Sequence, residues 1–197
     1  MRLHPIRLAA ALFLLAALLA LPTGAEAQSS TVANQLPITP LRFCQITASG
    51  TVAGLGSGVC ASFTGTGSGT NLTVTSVTGK ILVGDAVAGT GVPASTTIAS
   101  QTSGPAGGAG VYVTSAATTS SSASLTSGSI PPGATAAFIS VETANIRYRD
   151  DGAAPTTSVG QIVPSATNLF YSGTLSAMQI IAVSGSPVVD VSFYRGG

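Results

Sequence analysis

Between Phe63 and Gly128 short β-branched runs alternate with glycine, and nothing in that stretch repeats with the spacing that a helix buries. Leu72, Val74 and Ser76 alternate with threonines, and Ile81 to Val83, Asp85 to Val87, Thr96 to Ala99 and Val111 to Val113 form further runs. Gly79, Gly84, Gly89, Gly91, Pro93 and the stretch from Gly104 to Gly110 separate them. Many short strands divided by turn residues predict an all-β sandwich or barrel. A disordered Ser/Thr/Gly linker is the competing reading, and it suits Ser120 to Ser124 better than the Val and Ile runs. Lys80 and Asp85 are the only charges in this region, and Tyr112 is its only aromatic after Phe63.

The chain opens differently. Arg2 and Arg7 flank a short polar start, Leu8 to Leu21 is an unbroken apolar run, and Pro22 and Gly24 end it. Ala25 and Ala27 then supply the small residues of a signal-peptidase site, which predicts a secretory signal helix over 1–27. The run falls short of the roughly 20 residues of a membrane span. An uncleaved N-terminal anchor is the alternative. The expected product is secreted, extracellular or periplasmic, with no membrane span after cleavage. Residues 28–40 have two prolines and no periodicity, and read as a flexible segment.

Cleavage after Ala27 would remove the single histidine, His4, together with Arg2, Arg7 and Glu26. Seven basic and six acidic residues then become five of each, Arg42, Lys80, Arg147, Arg149 and Arg195 against Asp85, Glu142, Asp150, Asp151 and Asp190. A near-neutral chain without a basic run gives no electrostatic footprint for nucleic acid. With no histidine, a hydrolase would fall back on a Ser–Lys pair through Lys80. Residue 77 is Val77, so the Ser-x-x-Lys spacing is missing, and Val74 stands where a phosphate loop would need glycine. Lys80 reads as a solvated turn residue. No catalytic residue, cofactor or metal site is predicted, and the chain is read as a protein that builds or binds.

Cys44 and Cys60 are the only cysteines. In an oxidising compartment an even count suits a bridge, which would close a loop of roughly 15 residues and contribute about 3 kcal/mol. Two buried reduced thiols fit the sequence as well, because spacing does not fix geometry. Two cysteines without histidine fall short of the four ligands of structural zinc. Asn71-Leu72-Thr73 matches a glycosylation acceptor, and reads as plain strand sequence in a bacterial product.

The flanks of the middle region carry the aromatics and charges. Residues 41–62 and 129–197 are read as one discontinuous β-sandwich domain, with 63–128 as a β module inserted in a loop. Leu41, Phe43 and Gln45 alternate with Arg42, Cys44 and Ile46, and Ala137, Ile139 and Val141 alternate with Phe138, Ser140 and Glu142. A turn at Thr143 to Asn145 is expected to form a hairpin that sets Ile146 and Tyr148 on one face and Arg147 and Arg149 on the other. That hairpin would bring Glu142 beside one or both arginines, a surface contact of about 0.2 to 1 kcal/mol. Further strands are expected at 169–171, 178–183 and 188–194.

Arg147, Tyr148, Arg149, Asp150 and Asp151 form the candidate binding edge, since Arg offers planar donors and Tyr a stacking surface for a glycan or an acidic partner. A solvated strand face is the plainer account of the arginines. Asp150-Asp151-Gly152 reads as a turn, with calcium binding and paired-carboxylate catalysis as alternatives. Exposed strand edges would let copies pair, so a homo-oligomer or fibre is expected among the partners.

Several segments resemble known proteins. Cys44-Gln45-Ile46, Gly133-Ala134 with the AAFISVE run after it, IRYRDDGAAPT from Ile146 to Thr156, and VVDVSFYR from Val188 to Arg195 resemble a small β-sandwich family encoded among tailed-phage virion and prophage genes. Leu72 to Thr126, through Gly89-Thr90-Gly91-Val92-Pro93, is similar to a module recurrent in phage tail and bacterial surface proteins. The two resemblances together imply a jelly-roll-like β-sandwich with a second β module in one of its loops. They imply a structural or surface-attachment role beside other surface or virion proteins, virion-associated if the gene is phage-encoded.

Overall fold

The computed structural model describes residues 38–196. The predicted signal helix and its cleavage site lie outside the described residues, as do residues 28–37 of the expected flexible segment. Among the described residues there is no α-helix, and thirteen strands build three antiparallel sheets. They are β1 (Ile38–Thr47), β2 (Ala53–Gly54), β3 (Ala61–Gly79), β4 (Ala86–Gly89), β5 (Ile98–Ser103), β6 (Gly110–Thr118) and β7 (Ala123–Gly128). After these come β8 (Ala136–Val141), β9 (Ile146–Arg149), β10 (Gln161–Val163), β11 (Thr167–Tyr171), β12 (Gln179–Ala182) and β13 (Val188–Gly196).

Two four-stranded sheets, β1-β13-β8-β11 and β10-β9-β12-β2, form a sandwich. Counting only these eight strands along the chain, the orders are first-eighth-third-sixth and fifth-fourth-seventh-second. That is the strand order of a jelly roll, whose two interlocked Greek keys bury one face of each sheet. The alternation that the sequence carries decides which face: Cys44, Ile46, Ala137, Ile139, Val141, Val189, Val191 and Phe193 point inward from the first sheet. Ile146, Ile180, Ala182 and Met178 meet them from the second. Each Val, Ile, Met or Phe among them contributes roughly 1.5–3 kcal/mol when fully buried, which fixes the register against a one-residue slip.

Between β2 and β8 the chain leaves the sandwich and forms the third sheet, β4-β7-β3-β6-β5. Its two edges meet. Val87 N donates to Thr96 O at 2.8 Å, Ile98 N to Asp85 O at 2.9 Å and Gly84 N to Ile98 O at 2.8 Å, so the sheet curls into a small barrel. β3 makes the curl by serving two neighbours, pairing with β7 over Ala61–Gly65 and with β6 from Gly69 onward. A bulge between Gly69 and Asn71 bends it, and Gly69 supplies the positive φ of +62°. The barrel encloses its own cluster of Phe63, Leu72, Val74, Ile81, Val87, Ile98, Tyr112 and Leu125.

Three local expectations change. β1 starts at Ile38 rather than Leu41, because Ile38 to Pro40 already pair with Tyr194 to Gly196 of β13. Ser120 to Ser124 is not a linker: Ser120 is buried, its carbonyl accepts from Gly67 N at 2.8 Å, and β7 begins at Ala123. The hairpin between β8 and β9 does not form, because β8 pairs with β11 and β13 while β9 crosses to the other sheet and pairs with β10 and β12. Thr143 to Asn145 is therefore a bridge between layers. Glu142 ends exposed at one end of the sandwich and does not meet Arg147 or Arg149.

Cys44 and Cys60 are joined by a disulfide, which settles that choice in favour of the bridge. Gln45 and Val59 exchange backbone hydrogen bonds of 2.8 Å beside it, so the chain leaving for the barrel is first tied along the outer edge of β1.

Candidate functional site

β9 is an interior strand of its sheet, and its alternation puts Ile146 and Tyr148 inward and Arg147 and Arg149 outward, as the sequence pattern implies. Past Arg149 the chain turns through Asp150, Asp151 and Gly152, whose φ of +80° is what the Asp-Gly pair supplies. Asp151 closes this turn by accepting from Ala153 N at 3.1 Å. The loop then returns to β10 at Gln161.

The two arginines are already occupied. Arg147 donates from Nε to Thr157 O at 3.1 Å and from Nη1 to Gly160 O at 2.7 Å, so it pins the β9–β10 loop. Arg149 pairs with Asp151 through Nε at 3.1 Å and through Nη2. That pair stands in solvent, where its hydrogen bond and charge raise the guanidinium and lower the carboxyl. Exposed pairs of this kind contribute little to stability. The predicted residues are thus brought together, though around a loop and not as a flat strand edge.

Tyr148, Arg149, Asp150 and Asp151 line an open depression of about 380 Å³ together with Val159, Gly160 and Gln161, and Arg147 is not part of its lining. Tyr148 donates its hydroxyl to Gln161 Oε1 at 2.8 Å. Tyr171, at the end of β11 in the facing sheet, stands near the same Asp150 carboxylate. Burial, with the Asp150 charge adding to it, raises both phenols above their ordinary value. A general base works best when it titrates near the working pH, and these two hydroxyls are moved away from it. They remain protonated donors. The chemistry on offer is hydrogen bonding and ring stacking for a polar ligand.

Glu142 follows β8 where the chain crosses sheets, and Asp150 follows the far end of β9, so these two carboxylates sit at opposite ends of the sandwich. Among the described residues no group of three or more His, Cys, Asp or Glu comes close enough to hold a metal ion, and no helix is long and apolar enough to cross a membrane.

Sequence reasoning missed a second polar centre. Arg42 on β1 and Asp85 just before β4 form a buried ion pair between sandwich and barrel, with both side chains at most 3% exposed. Nη1 meets Oδ1 and Nη2 meets Oδ2, each at 2.6 Å. Ser129 Oγ at 2.6 Å, Ser127 Oγ at 3.0 Å and Leu82 N at 2.9 Å complete the carboxylate's shell. Burial raises the Asp85 carboxyl, but the hydrogen bonds from Arg42, Ser129 and Leu82 and the Arg42 charge outweigh it and hold the group below its ordinary value. Arg42 also donates to Lys80 O at 2.6 Å, while its Nε has no hydrogen-bond partner. The signal was present in the sequence: Arg42 lies on the same face of β1 as Cys44 and Ile46, where a charge needs a partner. No protein family, curated protein or solved structure matches this chain.

Proposed function

We propose that this is an exported, non-enzymatic structural or surface-attachment protein, of the kind found in phage virions or on bacterial surfaces. The observation that carries the reading is the fastening of the barrel to the jelly roll. Where the chain leaves β1's edge it is held by the Cys44–Cys60 disulfide, and the Arg42–Asp85 pair ties the barrel back to the same strand beside Cys44. A covalent and an ionic tie at the root of an inserted module limit its motion, which suits a part that transmits position or force between neighbours. The disulfide also fits an oxidising compartment, in keeping with export. The jelly roll serves capsid and lectin domains alike, so fold alone does not choose between building and binding.

Fractionation of the native source tests the reading. The protein should sediment with released particles or with the cell surface, and should resist extraction by salt. Recovery as freely soluble protein would sink it.

The depression at Tyr148 to Gln161 supports a second reading, a small glycan- or protein-binding module. Glycan-array binding by the wild type that is lost in Tyr148→Ala and Gln161→Ala would favour it, and equal binding by both would remove it.

A further inference from the structure

The outer face of the β1-β13-β8-β11 sheet carries an aromatic row. Phe43 is paired with Ser192, Ser192 with Phe138, and Phe138 with Phe170, so three phenylalanines lie in one line across four strands. At a strand spacing of about 4.8 Å the row is roughly 14 Å long. Phe43 and Phe170 are each 54% exposed and Phe138 39%. Aromatic side chains present 150–250 Å² each, so these three alone show about 300 Å² of apolar surface, within the size range of functional patches. Ile38, opposite Gly196, and Val59, bridged to Gln45, extend it along the same face.

One residue pair further along the strands the row becomes Gln45, Asp190, Ser140 and Asn168. Asp190 and Glu142 are the charges that the strands present on this face. The other sheet's outer face is its complement. There Ile162 pairs with Arg147 across the strands, and Val159 and Ile162 are about half exposed, while Ile181 on the other side of Arg147 is buried. Arg147 is bonded only to backbone carbonyls and keeps an unneutralised charge.

We propose that the aromatic face of one copy docks on the Ile162–Arg147 face of a second copy, stacking the sandwiches head to tail. The inference rests on the structural reading above and names its partner, another copy of this chain. Charge selects this arrangement: an aromatic face against its own twin gathers carboxylates with no cation, whereas the opposite face brings Arg147. A contact between two different faces leaves one of each free, so copies extend into a filament or close into a ring. The row's apolar surface of about 300 Å² falls well short of the roughly 800 Å² per partner of a standard interface, so each contact is weak and the assembly appears at high concentration.

Two face variants and their mixture provide the test, followed by sedimentation velocity. Wild-type protein should gain mass with concentration, while Phe138→Asp and Ile162→Asp should each stay monomeric. Mixed, they should give a species of twice the monomer mass that grows no further, since each retains the face that the other has lost. Phe170→Ser and Val159→Asp serve as a second pair if circular dichroism shows either first variant unfolded. A wild type that stays monomeric throughout, a mixture without the dimer, or dimers of Ile162→Asp alone would overturn the proposal. Monomeric wild type retained on polysaccharide through Phe138 would overturn it too and assign the row to sugars. If such a monomer still sediments with particles or cell surface, the stacking fails and the structural reading stands.

Discussion

Arg42 and Asp85 meet through two hydrogen bonds of 2.6 Å across the join between jelly roll and barrel, with neither side chain more than 3% exposed. Taking two charges out of water costs several kcal/mol each, so the pair adds little net stability while intact and its loss is felt when one partner is removed. Asp85→Asn leaves the Arg42 charge buried without a counter-ion, and should lower stability by about 3–5 kcal/mol. The double variant Arg42→Met/Asp85→Leu should recover part of that loss. Recovery stays incomplete because Ser127, Ser129 and Lys80 O lose their partners. Urea midpoints of the wild type and these variants measure both effects, and a double variant no better than Asp85→Asn would contradict the account.

Acid should act through the same carboxylate. Asp85 is held below its ordinary value of 3.8 when folded, so the folded state binds this proton less readily than the unfolded chain. Its contribution is therefore complete above the unfolded value and disappears as pH falls through the folded one. Stability should be flat in this respect at neutral pH and drop below about pH 4. In Asp85→Asn that part of the acid limb should vanish, which thermal melts across pH 2–7 would reveal.

Reduction of the disulfide should destabilise without unfolding at room temperature. Its sequence separation of 16 residues implies about 3 kcal/mol of lost constraint. The expected melting shift is roughly 6–12 °C for a domain of this size. Cys44→Ala/Cys60→Ala should match the reduced wild type. A shift within error of zero would mean that the Gln45–Val59 bonds and the ion pair already hold the join.

The sheet faces were legible in the sequence because a period of two sorts Ile139 from Phe138, and Val191 from Ser192, whatever those strands pair with. Pairing was not legible. Glu142 and Ile146 are so close along the chain that a hairpin is the local expectation, yet β8 and β9 each gain two neighbours by lying in different sheets. A jelly roll is made of such non-local choices, and only long-range burial decides them. The candidate site shows the same division: the turn at Asp150 to Gly152 follows from its residues, whereas Tyr171 and Gln161 reach it through the fold. Arg42 and Asp85 were singled out only as charges, because the sequence places them 43 residues apart. The alternation groups Phe138 with Ser140 and Glu142, opposite Ile139 and Val141, and an aromatic among polar residues was the available sign of the Phe43–Phe138–Phe170 row.

Two small residues test the backbone at opposite signs. Gly128 leaves the barrel beside the disulfide, and a Cβ there would fall well inside contact distance of Gly58 O, with Cys60 Sγ at 3.2 Å. Backbone cannot rotate aside as a flexible side chain does, so Gly128→Ala should cost toward the upper end of the roughly 1–3 kcal/mol typical of overpacking. Ala166, in the crossing from β10 to β11, has the opposite problem, with a φ of +57° that costs an alanine roughly 1–2 kcal/mol. Ala166→Gly removes that strain but gives the unfolded chain more freedom, by about 0.5–1 kcal/mol. The net should be a stabilisation of at most about 1.5 kcal/mol, seen as a small rise in melting temperature. A fall on Ala166→Gly would mean that the left-handed turn is not held in solution.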